Sequence, residues 1–180
     1  SIFVFMTAIN IQKVTLADLA QLQQIGRQTF SETFSATNTE EDMRQYLEKG
    51  FSLQKLTAEL QNPESEFYFA TLNGTVIGYL KLNFGESQTE KQDGKALEVE
   101  RIYVLQEFHR KKVGQLLCDK AIQIAKNKNV DFVWLGVWEE NHRAIQFYTK
   151  NGFVAFDQHI FVLGNDEQTD IMMKLDLENK

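Results

Sequence analysis

The stretch from Phe67 to Phe84 limits the possible folds more than any other part of this chain. Phe67, Phe69 and Thr71 alternate with Tyr68, Ala70 and Leu72, Asn73-Gly74 interrupts, and Val76 to Phe84 resumes. A period of two puts successive side chains on opposite faces of a strand, and Asn-Gly readily takes the positive φ angles of a two-residue turn. A β-hairpin is expected here.

Before this hairpin the pattern is helical. Ile9, Ile11 and Lys13-Val14 suggest an opening strand, after which Leu16, Leu19, Leu22, Ile25 and Thr29 recur at helical spacing. Thr15 is expected to cap that helix through its side-chain oxygen, with Asp18 near the positive end. Asn38-Thr39-Glu40-Glu41-Asp42 reads as a second helix start, followed by Met43, Tyr46 and Leu47, and a short third helix is expected over 53–60. Pro63, the only proline, closes this region. Beyond the hairpin, residues 85–95 read as a polar loop, 96–104 as a strand and 114–126 as an amphipathic helix. The apolar run 132–138 suits a sheet buried on both faces. A helix over 143–150 stops at Asn151-Gly152. Strands over 153–156, 160–163 and 169–175 are expected to close the chain.

A length of 180 residues suits one domain. Its expected extent is 6–177, with residues 1–5 as an N-terminal extension and Met6 as an alternative start. Hydrophobic residues at 43% and charged residues at 24% fit a globular protein. No stretch approaches the ~18 apolar residues that span a bilayer. A formal net charge of −6 disfavours a nucleic-acid partner and suits a cationic substrate. Cys118 is the only cysteine, and with His109, His142 and His159 it shows no zinc-ligand spacing. No metal and a cytoplasmic location are expected.

Two segments carry chemistry. Strand 97–104, a short connection, and then His109-Arg110-Lys111-Lys112-Val113-Gly114 read as strand, turn and helix start. Unpaired amides at a helix N-terminus beside consecutive cations suit a pyrophosphate, and Gly114 allows close approach. The second segment runs from Trp134 to Phe153. Within it, Asn141 reads equally as a helix N-cap and Tyr148 as a core aromatic. Neither a GxxxxGK[ST] loop nor a GxGxxG loop is present, which disfavours an unrelated nucleotide-binding protein.

Taken together, the two segments resemble the GNAT acetyltransferase superfamily. Asn141, Ala144, Phe147, Tyr148, Gly152 and Phe153 match its N-x-x-A-x-x-F-Y-x-x-x-G-F signature. In its Gln/Arg-x-x-Gly-x-Gly/Ala motif His109 takes the first position, Lys112 replaces the first glycine, and Gly114 matches the second. Thr29-Phe30-Ser31-Glu32-Thr33-Phe34, Glu98-Val99-Glu100-Arg101-Ile102-Tyr103, Trp134-Leu135-Gly136-Val137-Trp138-Glu139 and Asp166-Glu167-Gln168-Thr169-Asp170 extend the resemblance to the PaiA-type spermidine/spermine branch.

The resemblance implies a single α/β (α+β) domain. Its central mixed, mostly antiparallel sheet would be flanked by helices, with splayed central strands forming a cleft for acetyl-CoA. Ile102, Tyr103 and Val104, the turn from His109 through Arg110, Lys111, Lys112 and Val113 to Gly114 and Gln115, and Asn141, Arg143, Tyr148 and Lys150 would bind that cofactor. A direct transfer in a ternary complex is implied. Tyr148 would protonate the leaving thiolate, and Glu98 or Glu100 would take the amine's proton, directly or through water. Glu32, Phe34, Glu98 and Glu100 would face the acceptor, a primary amine of a polyamine such as spermidine or spermine. A protein amine, another small-molecule amine and a non-catalytic CoA-binding sensor stand as alternatives. No nucleic-acid or membrane partner is implied, and a homodimer is allowed.

Overall fold

The computed structural model describes residues 1–177. Strands β2 (Ser65–Leu72) and β3 (Thr75–Phe84) form the expected hairpin. Asn73 at φ 51° and Gly74 at φ 81° supply its two left-handed positions. These strands extend into a seven-stranded sheet through β1 (Ile9–Lys13), β4 (Ala96–Val104), β5 (Phe132–Trp138), β6 (Val154–Leu163) and β7 (Asp166–Asp176). The order across it is β1-β2-β3-β4-β5-β7-β6, and only β4 and β5 run parallel. Both alternating sets on β2, from Phe67 to Thr71, are buried. Cover on both faces explains why polarity does not alternate there.

Among the described residues, six helices flank the sheet: α1 (Ile2–Thr7), α2 (Leu19–Phe34), α3 (Glu40–Gly50), α4 (Leu53–Gln61), α5 (Val113–Asn127) and α6 (His142–Lys150). Helix α2 buries Leu22, Ile25, Phe30 and Phe34, at roughly 1.5–3 kcal/mol for each fully buried side chain. Thr39 and Ser52 cap α3 and α4, accepting from the amides of Asp42 and Lys55 at 3.1 Å each.

Three local expectations change. The chain enters α2 through a 3-10 turn, Leu16–Asp18, which leaves Leu16 exposed rather than on the core face. Thr15 donates rather than accepts there. Its amide and hydroxyl approach Asp18 Oδ2 at 2.9 and 3.3 Å, so the carboxylate satisfies the start of the turn. The separate strands 153–156 and 160–163 are one strand, β6. A register shift between Ala155 and Asp157 absorbs the polar interruption in this edge strand, and β7 begins at Asp166.

Candidate active site

Strands β4 and β5 pair only at Ala96↔Phe132, Leu97↔Val133 and Glu98↔Trp134. Beyond Glu98 the strands part, so the β5-side backbone groups of 99–104 lack a ladder partner, while β3 continues to pair through Val104. Parting of parallel strands opens a cleft of about 810 Å³, lined by Ile102, Tyr103, Val104, the 109–115 turn and one face of α6.

The turn supplies positive charge and backbone donors. Arg110 and Lys112 both adopt φ 66°, so Lys112 takes the left-handed conformation that its motif assigns to glycine at a cost of about 1–2 kcal/mol. A Cβ built on Gly114 meets nothing within 4 Å. Open space above the first turn of α5, with its unpaired amides, fits a pyrophosphate. Arg110 and Arg143 face the same cleft. Burial lowers the Arg143 pKa, and repulsion from Arg110 lowers it further, as expected where two cations await an anion. Lys112 and Lys150 also line the cleft. Lys111 instead turns toward α1, its Nζ 5.3 Å from the Phe5 ring centroid. His109 Nε2 lies 2.8 Å from the Val104 carbonyl, which ties the turn to the end of β4. Gln115 exchanges amide hydrogen bonds with Asn151 at 2.7 and 3.2 Å, joining α5 to the end of α6.

The cleft runs into a second chamber of about 280 Å³. Ile102, Tyr103, Trp138, Asn141, Ala144 and Tyr148 border both spaces. Phe34 helps close the second chamber, with its ring 5.4 Å from Trp138 and 6.2 Å from Phe161. Tyr148 is buried, and loss of solvent pushes its pKa well above the ordinary phenol value, so it stays protonated across the neutral range. Asn141 Oδ1 accepts from the Ala144 amide at 3.2 Å, so Asn141 does cap α6. Glu32 Oε1 accepts from the Gln106 amide at 2.9 Å on the outer cleft wall, not in the second chamber.

A β-bulge organises the chamber's charges. Lys81 pairs with Arg101 and Leu82 with Val99, leaving Glu100 as the extra residue. Consequently Glu98, Glu100, Arg101 and Tyr103 all border the chamber. Glu98 and Glu100 share Asn83, whose Nδ2 donates to them at 3.0 and 2.7 Å. Otherwise their surroundings differ. Glu98 accepts from the Thr89 amide at 2.8 Å and its hydroxyl at 2.5 Å. Burial raises its pKa despite those bonds. Glu100 lies 2.8 Å from Lys81 Nζ and 3.3 Å from Arg101 Nη2. Burial alone would raise its pKa, but Arg101 and Lys81 hold it down to about 2.

Thr89 and Asn83 had no signal as site residues, and Arg101 appeared only within the quoted 98–103 segment, with no role assigned to it. Thr89 belongs to a polar loop, Asn83 to a strand interior, and Arg101 to the residues that alternation assigns to the opposite face. Asp170 and His159 also border the chamber. Asp170 lay in the 166–170 segment that resembles the PaiA branch, with no role assigned to it, and His159 stood out only as a histidine without zinc-ligand spacing.

A split sheet leading from a cation-bordered helix N-terminus to a chamber lined by carboxylates defines a CoA-dependent transferase acting on an amine. Residues 22–153 match the acetyltransferase (GNAT) family. The chain is 41% identical to an uncharacterized N-acetyltransferase in the pepI 3' region of Lactobacillus delbrueckii subsp. lactis, over 94% of this chain and 98% of the relative. It is 28% identical to the spermidine N(1)-acetyltransferase of Thermoplasma acidophilum, over 83% and 91% of the two chains. A crystal structure of PaiA N-acetyltransferase from Thermoplasma acidophilum in complex with coenzyme A aligns with TM-score 0.77 and 26% identity, covering 94% of this chain and 99% of that one. The chain belongs to the GNAT acetyltransferase family and is an acetyl-CoA-dependent N-acetyltransferase.

Proposed function

We propose that this N-acetyltransferase acetylates a primary amine of a polyamine such as spermidine or spermine. The observation carrying this reading is the second chamber, where Glu98, Glu100 and Asp170 stand among aromatic walls. Carboxylates attract a polycation at several points, and aromatic faces hold an organic ammonium. The Thermoplasma acidophilum relative, by name a spermidine N(1)-acetyltransferase, supports the same class.

Acetyl-CoA supplies the activated acetyl group. The acceptor nitrogen must shed a proton to expose its lone pair, and Glu98 is the better base: its pKa is raised, whereas Glu100 at about 2 holds protons weakly. Thr89 and Asn83 already bond to Glu98, so the proton reaches it through water. Glu100 contributes fixed charge. A β5-side backbone amide within 102–104 would stabilise negative charge developing on the acyl oxygen. Tyr148, which borders both spaces, would give its hydroxyl proton to the leaving thiolate and regain one from solvent before the next turnover. Arg110, Lys112, Arg143 and Lys150, with the α5 amides and Gly114, would hold the diphosphate end, and the Asn141 NH2 group would hold the pantetheine arm.

The deciding measurement is steady-state acetylation of spermidine, spermine, a lysine peptide and an aminoglycoside at one pH and ionic strength. Polyamines are expected to react best, with kcat/KM falling as salt rises. Absence of polyamine turnover beside good turnover of another amine would end the polyamine reading and leave the family assignment standing.

A further inference from the structure

Asp170 has no task in the proton transfers above. It stands on β7 opposite Trp138 of β5 and His159 of β6. Directly paired residues share a face, as do residues two apart, so these side chains lie on the same face as Trp134 and Glu98.

The three carboxylates bordering the chamber are differently committed. Glu98 is taken by Thr89 and Asn83, and Glu100 by Lys81, Arg101 and Asn83. Among the described residues Asp170 has one close polar side-chain contact, His159 Nε2 at 3.5 Å, although its side chain is only 17% exposed. His159 Nδ1 lies 2.7 Å from Glu90 Oε2 without hydrogen-bonding geometry. Burial raises the Asp170 pKa, and His159 offsets that only in part. A largely buried carboxylate with one long contact gains substantially from a cationic ligand.

The approach to it is open. A Cβ at Gly136 would sit 3.4 Å from Asp170 Oδ2 and 3.5 Å from His159 Cε1, so the missing side chain leaves this carboxylate facing the chamber. Trp138, Phe34 and Phe161 supply aromatic surface beside it. Trp138 borders the junction with the cofactor cleft, and Asp170 is one strand across from it, ~5 Å. Glu98 pairs at the level of Trp134, four residues or ~13 Å back along β5. A cation beside Asp170 would therefore lie a short alkyl chain from an amine at the junction.

We propose that Asp170, braced by His159 and reached across Gly136, selects acceptors that carry a second ammonium a few methylenes from the one acetylated. This rests on the polyamine reading and assigns the residue that enforces it. A diamine gains a charge-assisted contact that the monoamine of equal length cannot make.

The test compares kcat/KM for putrescine and butylamine in the wild-type enzyme, Asp170→Asn and Gly136→Ala. Contacts to charged groups at partly buried sites predict a wild-type preference for the diamine of roughly tenfold or more. In Asp170→Asn that ratio is expected to fall toward one, mainly through a higher diamine KM. Gly136→Ala keeps the charge, adds a methyl at ordinary contact distance, and is expected to erode the ratio in the same direction. Retained acetyl-CoA affinity in calorimetry shows that each variant is folded. A wild-type enzyme indifferent to the second amine overturns both this proposal and the polyamine reading. A preference that survives unchanged in Asp170→Asn overturns the Asp170 assignment alone.

Discussion

Glu100→Gln tests whether the bulge carboxylate serves as a structural anchor. Its carboxylate contacts Lys81 and Arg101 and accepts from Asn83 at 2.7 Å, while Lys81 and Arg101 side chains are only 6% and 12% exposed. Holding a carboxyl at about 2 rather than 4.5 corresponds to roughly 3 kcal/mol favouring the ionised form in the fold. Removing one member of a buried pair costs about 3–5 kcal/mol when the remaining charge is left alone. Here Glu59 Oε2 stays 2.6 Å from Lys81 Nζ and 3.2 Å from Arg101 Nη2, so a loss of about 2–3 kcal/mol is expected. Urea unfolding at neutral pH measures it. Repeating the melts at falling pH gives the sign. The folded-state pKa is depressed, so the stabilisation is complete above the unfolded value near 4.5 and disappears as pH falls toward 2. The gap between wild type and variant should therefore narrow across that window. A neutral-pH gap below about 1 kcal/mol, or one that ignores acid, would refute the anchoring argument.

Other substitutions separate the remaining roles. Because burial raises the Glu98 pKa, kcat/KM of the wild type should climb with pH on a limb centred above the ordinary carboxylate value. Glu98→Gln should flatten that limb and lower turnover by roughly 10²-fold or more; an unaltered limb would place the base elsewhere. Tyr148→Phe keeps the ring packed against Phe147 and Phe153 at 5.3 and 5.6 Å while removing the hydroxyl. Turnover should drop about 10²-fold with little change in melting temperature, and wild-type turnover with chemistry rate-limiting would make Tyr148 a packing residue. Lys112→Gly should relieve the left-handed strain and raise the urea midpoint by the equivalent of about 1 kcal/mol, while acetyl-CoA binding weakens through loss of one cation. A lower midpoint would show that the lysine stem stabilises the turn more than its backbone strains it.

The element plan was legible because it depends on local rules. Asn73-Gly74 forces a tight turn, the 96–104 and 132–138 runs favour strands, and Asn141 caps a helix whatever lies around it. Gly114 and the cations of the 109–115 turn were legible for the same reason: a helix start beside positive charge attracts anions. The Lys112 conformation was not, since a lysine takes positive φ only where the surrounding fold compensates.

The acceptor chamber belongs to the other category. Alternation along 97–104 puts Glu98, Glu100, Ile102 and Val104 on one face and Arg101 and Tyr103 on the other. The bulge at Glu100 advances the strand by one residue, so Arg101 and Tyr103 join Glu98 facing the chamber. A bulge arises from the registers on either side of it, and register depends on how β3 and β4 settle against the rest of the sheet. Asp170 reached the chamber from a strand some seventy residues downstream of Glu98, because β7 inserted between β5 and β6. The chain alone determined which residues form strands and where a helix would receive an anion. Tertiary pairing decided which carboxylate became a locked ion pair and which was left with few partners. Those outcomes turn on desolvation and neighbours far apart in sequence.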